Sequence, residues 1–216
     1  MNLDGPPYPY TEKDWSQWYP FVSKAARGCA TELQAIHDSL QLMQGSSGDD
    51  SQVGSQQRRW VSESMLPWTI RELPGLQSDN EAGRFIGAIT IERGTFLYIL
   101  DEDERRRRKQ ENNALEAGDP NIIWEVGFYL NPDYHGRGIM PAVLRTLIIH
   151  ILVPYTNVHT LMATYFEYNT PSRRVFEKCG FKFVQLLPGA VTLPPTKNNG
   201  ITGRKVGLGV MRWQSA

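Results

Sequence analysis

The chain is poor in the residues that mark several functional classes. It has two cysteines, Cys29 and Cys179, in 216 residues. So few, so far apart, build no disulfide framework, and they read as thiols of a reduced, intracellular protein. Four histidines lack ligand-like spacing, so no metal site is expected. Charge of one sign is also missing: Lys+Arg and Asp+Glu both number 23. No global field draws the chain to nucleic acid or to an anionic membrane. No uninterrupted apolar run reaches the about 18–20 residues of a membrane span. The first ten residues, MNLDGPPYPY, lack a charged-then-apolar export signal. The expectation is a cytoplasmic protein without membrane or nucleic-acid partners. Two phosphate motifs are absent as well. There is no G-x-x-x-x-G-K-[ST], and Gly136 and Gly138 are followed by Pro141, which breaks G-x-G-x-x-G.

What is present is globular: 40% hydrophobic and 21% charged residues, enough for one domain with a real core. The organising stretch is Tyr129 to Met140 (YLNPDYHGRGIM). Ile122 to Leu130 alternates, is rich in β-branched and aromatic residues, and predicts a strand. Asn131-Pro132-Asp133 ends it. Met140 to Val153 is apolar at helical spacing, with Pro141 tolerated in the first turn. A strand, a glycine turn and a helix start suit an anion. The helix start leaves amides without intrahelical partners at the positive end of the macrodipole, and glycine lets the backbone come close. An ordinary strand–turn–helix uses glycine too, so this motif alone leaves both readings open.

Along the chain, residues 1–10 read as a loose Pro/Tyr arm. Thr11 is a candidate cap for a helix carrying Trp15, Trp18 and Tyr19, which Pro20 interrupts. A second helix is expected from Ala25 to Met43, with Leu33, Ile36, Leu40 and Met43 packed in the core. Residues 44–58 read as a flexible loop. Trp68–Leu73 and Arg84–Glu92 predict a hairpin around a turn at 74–83. Thr95–Leu100 is expected to extend the sheet. Residues 101–120 (DEDERRRRKQENNALEAGDP) read as a solvated, mobile insertion rather than a nucleic-acid patch, because acidic residues flank the basic run and no aromatics interleave it. His159–Phe166 predicts a strand, and 169–179 a helix with Asn169 as candidate N-cap and Gly180 as its stop. Phe181–Leu187 predicts a strand, 188–202 a long loop, and Lys205–Trp213 a last strand. Strands alternating with helices imply a parallel pair, and hairpins at both ends make the sheet mixed, with helices on its faces.

Two ordered motifs carry a family resemblance. His135-Gly136-Arg137-Gly138-Ile139-Met140 resembles the pyrophosphate motif [RQ]-x-x-G-x-[GA] of the GNAT superfamily of acyl-CoA-dependent N-acetyltransferases. Asn169 to Phe181 (NTPSRRVFEKCGF) resembles the N-x-x-S-x-x-[VL]-x-E-K-x-G-F segment of its RimJ/RimL branch, which acetylates ribosomal protein N-termini. The hairpin with I-R-E and F-I-G-A-I fits too, so the resemblance covers residues 60–187. It implies one GNAT-like α/β (α+β) domain over residues 1–216: a mixed, mostly antiparallel sheet with a central, splayed parallel strand pair and helices on both faces. His135 and Met140 depart from the motif. The cradle rests mainly on backbone amides, which any non-proline residue supplies, so CoA binding is expected to survive. Some family members carry an acid tyrosine where this chain has Phe176, which has no proton to give.

The resemblance implies acetyl-CoA as co-substrate, no metal, and a primary amine as acceptor, with acetyl moved directly in a ternary complex. An N–H near Leu130, beside Tyr129, would polarise the thioester carbonyl. Amides of Gly136, Arg137, Gly138, Ile139 and Met140, entered from His135, would hold pyrophosphate, with Arg137 as local countercharge. Asn169 would meet the pantetheine arm. Arg174, with Arg173 and Lys178, would meet the adenosine phosphates or simply form a solvated helix face. Glu125, a carboxylate inside an apolar strand, is the first choice for general base, with a structural hydrogen bond as the equal alternative. Ser172 is the candidate proton donor to the thiolate; Tyr165 and Tyr168 rank below it. Cys179 reads as a packed thiol, not a nucleophile. The competing reading is a non-catalytic CoA-binding module of the same fold. Peptide N-terminus, lysine, polyamine and aminoglycoside all remain open as acceptor, and monomer and homodimer as assembly.

Overall fold

Six strands form one sheet in the order β1-β2-β3-β4-β6-β5. The structure, a computed structural model, describes residues 12–45, 59–73, 83–193 and 202–215. Strand β1 (Met65–Glu72) pairs antiparallel with β2 (Arg84–Arg93), and β2 with β3 (Ile123–Leu130). β3 runs parallel to β4 (Thr160–Phe166), whose other edge meets β6 (Lys205–Gln214); β5 (Lys182–Thr192) closes the sheet on β6. The mixed sheet with one central parallel pair is as expected. That pair is short: β3 and β4 match only from Ile123↔Thr160 to Val126↔Ala163. Beyond Val126 the two strands part.

Several elements differ from the sequence reading, each for a local reason. Helix α1 is one helix, Glu12–Gly45, that runs through Pro20 rather than breaking there. Ala25, Cys29 and Ile36 are buried and Leu33 packs beside them, at helical spacing, against the core. The Glu32 carboxylate fastens the helix to the chain before β1 by accepting from the Ser62 N–H at 2.8 Å and the Glu63 N–H at 3.2 Å. The expected packing of Trp15, Trp18, Tyr19, Leu40 and Met43, the cap at Thr11, and the arm at 1–10 fall outside the described side chains and residues, as do residues 46–58 of the loop expected at 44–58, whose first two residues end α1 instead, and residues 74–82 of the turn expected at 74–83. Thr95–Leu100 adds no strand. Phe96 instead takes φ 57°, a left-handed conformation, and buries its ring. Strand β5 continues to Thr192 through Pro188, where a loop was expected; residues 194–201 lie outside the description. Pro188 is tolerated because β5 is an edge strand and its pairing is irregular between Leu187 and Val191.

The charged stretch read as a loose insertion is helical. Helix α2 spans Glu102–Ala114, and the Asp101 side chain caps it by accepting from the Glu104 N–H. Three acidic residues sit in its first turn, where the helix dipole favours them. Its last carbonyls lack a basic residue of their own, and the buried Arg93 of β2 supplies one. Arg93 Nη1 donates to the C=O groups of Asn112 and Leu115 at 2.8 Å and of Asn113 at 3.3 Å. Buried Asn112 bonds both backbone groups of Ile123, at 2.8 and 2.9 Å. The helix is thereby tied to the first residue of β3.

After the glycine turn, helix α3 (Ile139–Leu147) passes into a π-helical turn (Ile148–Leu152) and then α4 (Val153–Thr156). Pro154 has no N–H for an α-helical bond and its ring crowds the preceding turn, which the wider turn relieves. By length and hydropathy this 18-residue run, Ile139–Thr156, is apolar enough to cross a membrane, which the sequence reading had not credited. Its inner face, Leu144, Leu147, Ile148 and Leu152, belongs to the core beneath the sheet. Truncating a fully buried leucine such as Leu144 to alanine costs about 2–5 kcal/mol. Helix α5 (Thr170–Lys178) is capped by the Asn169 side chain, which accepts from the Ser172 N–H at 3.2 Å, and ends before Gly180 at φ 87°.

Candidate active site

The parting of β3 and β4 leaves backbone without a ladder partner. Asn131 N–H donates to Ile86 C=O at 2.7 Å, so odd-numbered residues of β3 turn their polar groups to β2. Alternation aims those of Phe128 and Leu130 the other way, at the gap. The Leu130 carbonyl accepts from His135 Nε2 at 2.9 Å, which fixes that nitrogen as the protonated one and clips the glycine turn to the strand end. His135, a departure from the family motif, thus has a structural bond of its own.

Gly136 and Gly138 have φ 76° and 74°, and an added Cβ at either would meet nothing within 4 Å. Open space on the residue side and left-handed backbone are what a cradle for a bulky anion requires. The first intrahelical bond here is from Ala142 N–H to Gly138 C=O, so the amides of Ile139 and Met140 precede the helical ladder. Met140 is buried, its side chain directed into the core rather than across the cradle.

A cleft of about 550 Å³ runs from this turn to α5. Tyr129, Leu130, His135, Gly136, Gly138, Ile139 and Met140 line one wall, and Asn169, Ser172, Arg174 and Lys178 the other. Arg137 is the exception among the expected cofactor residues. Its Nη2 donates to Asp133 C=O at 2.8 Å and its guanidinium lies 4.8 Å from the Tyr134 ring centre, so it braces the turn instead of lining the cleft. Tyr134 is itself buried and donates to Glu72 at 2.5 Å.

A second cavity, of about 790 Å³, opens on the far side of the gap. Phe128, Asn169 and Ser172 line both cavities, so the two meet there. Glu125 lies in the second. One of its oxygens accepts from the Phe96 N–H at 2.8 Å and the other from the Thr95 hydroxyl. The left-handed turn at Phe96 is what presents that N–H. Burial pushes the Glu125 carboxyl above the usual range, and hydrogen bonds from the Thr95 hydroxyl and the Phe96 and Thr95 backbone, with the Lys109 charge, oppose the shift. Both roles weighed for Glu125, a structural bond and a base, thus have a physical footing: of the about four lone-pair sites of a carboxylate these donors leave at least one open.

Glu92, which sequence reasoning missed, stands opposite Glu125 in the β2–β3 register and lines the same cavity. Burial raises its carboxyl, and the neighbouring Glu125 charge raises it further. Only the register pairs the two; once the hairpin and β3 were set side by side, the pairing could have been read. Thr95 and Lys109 were missed as well. Tyr165 is buried against Gly209 with its ring lining the second cavity. Tyr168 is exposed and stacked on Phe166, outside both cavities. Phe176 is buried between Phe128 and Phe181, at centroid distances of 5.1 and 5.2 Å. Cys179 is buried, with its thiol pushed up by burial and bonded to Pro141 C=O at 3.5 Å, which suits packing and not nucleophilic attack. Among the described residues no cluster of His, Cys, Asp or Glu could hold a metal ion.

Comparison with known proteins adds the family. A stretch of 106 residues, 48% of this chain, is 32% identical to "Protein SIP5" of Meyerozyma guilliermondii, of which the chain spans 20%. Among solved structures, Mycobacterium smegmatis RimJ in complex with CoA-disulfide is 20% identical, with TM-score 0.45 over 71% of this chain and 54% of that one. Arabidopsis thaliana NAA60 in complex with a bisubstrate analogue is 13% identical, with TM-score 0.48 over 71% and 77%. These likenesses carry nothing about chemistry. The model of the acetyltransferase (GNAT) domain matches residues 9–182, a span that holds both motifs, Glu125 and both walls of the gap, and the chain therefore belongs to the GNAT acetyltransferase family.

Proposed function

We propose that the protein is an acetyl-CoA-dependent N-acetyltransferase of RimJ/RimL type, acting in the cytoplasm as a monomer or homodimer and moving acetyl directly to a primary amine. The observation that carries this reading is the meeting of two cavities at Phe128, Asn169 and Ser172, beside the unpaired edge of β3. One cavity has a cradle for pyrophosphate and the other a carboxylate for the amine.

The left-handed glycines fit a diphosphate, since an added Cβ at either would meet nothing within 4 Å and the space there is open. Amides of residues 136 to 140 would hold it, and Arg174 and Lys178 would meet the remaining phosphate. Acetyl-CoA supplies an activated acyl group on a good thiolate leaving group. The chain's own residues do the rest. The N–H groups of Phe128 and Leu130 are fixed donors in mid-sheet, suited to the oxygen on which charge develops. Glu125 takes the proton from the incoming ammonium, directly or through water, so that the nitrogen lone pair is free. Ser172, whose hydroxyl bonds to no described residue, stands at the junction as donor to the departing sulfur.

A turnover screen with acetyl-CoA over a panel of amines and peptides, following thiol release, tests this. Release above the hydrolytic background with at least one acceptor is the expected result. The second reading, a CoA-binding module without catalysis, draws on Phe176, which fills the core where an acid tyrosine would stand. CoA binding without turnover on any acceptor would favour it. Absence of CoA binding by calorimetry at millimolar ligand would overturn both.

A further inference from the structure

The basic run at 105–109 forms two different surfaces once it is helical. Glu102, Arg105, Arg106 and Lys109, at positions i, i+3, i+4 and i+7, share the face of α2 that walls the cavity of Glu125. The other cations of the run are engaged along the helix. Arg107 pairs with Glu104 at 2.7 Å and Glu111 at 2.5 Å, and Arg108 with Glu111 at 3.7 Å. On the cavity face, Arg105 is drawn to Glu102 at 3.5 Å and to Ile99 C=O at 3.3 Å. Among the described residues Arg106 has one ion pair, with Asp103 at 3.5 Å, and both side chains are largely exposed. Lys109 has no ion pair within 4 Å among the described residues, yet its charge is felt by both Glu92 and Glu125. The cavity is thus polarised. Glu92 and Glu125 stand on the sheet beside the gap; on the helix Arg105 and Glu102 offset each other, which leaves the Arg106 guanidinium and the Lys109 ammonium as the net charge of that wall.

We propose that the acceptor is an amine that carries an anionic group, a carboxylate or a phosphate, with its nitrogen against Glu125 and its anion against Lys109 and Arg106. The inference rests on the acetyl-transfer reading for the identity of the cavity. A polycationic acceptor would set its further charges against this wall. A neutral amine would leave the wall unused. The helix is held for the purpose: Arg93 and Asn112 anchor its far end to β2 and β3, so the cationic face cannot swing from the cavity without breaking buried hydrogen bonds.

The test is the ratio of kcat/KM for matched acceptors on the full chain: an amino acid against its amide, peptides beginning Asp against Asn, and phosphoethanolamine against ethanolamine. A preference of at least about tenfold for the anionic member is expected, in keeping with a charge-assisted contact. It should collapse towards unity in K109Q and R106Q. The carboxylate and phosphate pairs separate the two anions. R107Q removes the same charge from the outward face and is expected to keep the preference, which rules out a long-range field. Equal rates for charged and neutral partners, or a preference that survives K109Q, overturn the inference while leaving acetyl transfer intact. If no amine turns over, acetyl transfer itself fails. Calorimetric binding of the same pairs to wild type and K109Q then decides the inference: a charge preference lost in K109Q upholds it, and none in the wild type refutes it.

Discussion

Glu125 is held by a backbone turn that few residues adopt. Phe96 takes a positive φ to aim its N–H at the carboxylate, at a backbone cost of roughly 1–2 kcal/mol. As a base it must be ionised, so kcat/KM should rise with pH through a value above the ordinary carboxylate range, because burial has raised that group. E125Q should lower kcat by about 10²- to 10⁴-fold and abolish the rise, with little change in acetyl-CoA affinity. Steady-state kinetics across pH decide it, and an unchanged kcat would leave Glu125 a purely structural carboxylate. Gly138 makes a sharper test of the cradle. G138A puts a Cβ at φ 74°, costs roughly 1–2 kcal/mol of backbone strain, and should weaken CoA binding in calorimetry. Gly136, Gly138 and Asn169 were legible in the sequence because their demands are local: a left-handed turn, a helix cap. Glu92 and Lys109 were not, because their meaning comes from strands and a helix brought together across the fold.

At the scale of elements, α2 shows why charge patterning misled. Periodicity finds a helix by its apolar stripe, and residues 102–114 have none. Their stability comes from sources that such a pattern does not weigh: the Asp101 cap, three acidic residues in the first turn, and pairs at i,i+3 and i,i+4 worth about 0.2–0.5 kcal/mol each. The rest is tertiary, from Arg93 and Asn112. N112A should cost about 1–3 kcal/mol in denaturant unfolding, since it strands the Ile123 N–H, while the Ile123 C=O keeps its bond from the Gly94 N–H. Pro20 and Pro188 misled in the same sense. Each is a local breaker that its surroundings accommodate, one inside a 34-residue helix and one on a sheet edge. The central strand–turn–helix was readable because pattern, glycine chemistry and core burial agree there.

The whole molecule carries the electrostatic consequence of a carboxylate pair set into a sheet. Glu92 and Glu125 both bind protons more tightly folded than unfolded. Their contribution to stability is therefore fullest below the unfolded value of about 4.5 and is lost as pH rises through the folded values. Unfolding free energy of E92Q and E125Q, set against wild type from pH 4 upward, should show that decline flattened in the variants; parallel curves would contradict it. The fold class was visible in the order of strands and helices, whereas the length of the β3–β4 pairing was not, since nothing in either strand announces where its neighbour leaves. That divergence turns the middle of the sheet into an incomplete hydrogen-bonding lattice. A ligand whose own amides lie along it would act as a surrogate strand, adding rigidity where the protein has withheld it. The Phe128 and Leu130 amides should then exchange with deuterium measurably more slowly once CoA is added, while those of Trp124 and Val126, on the still-paired part of β3, should hardly change.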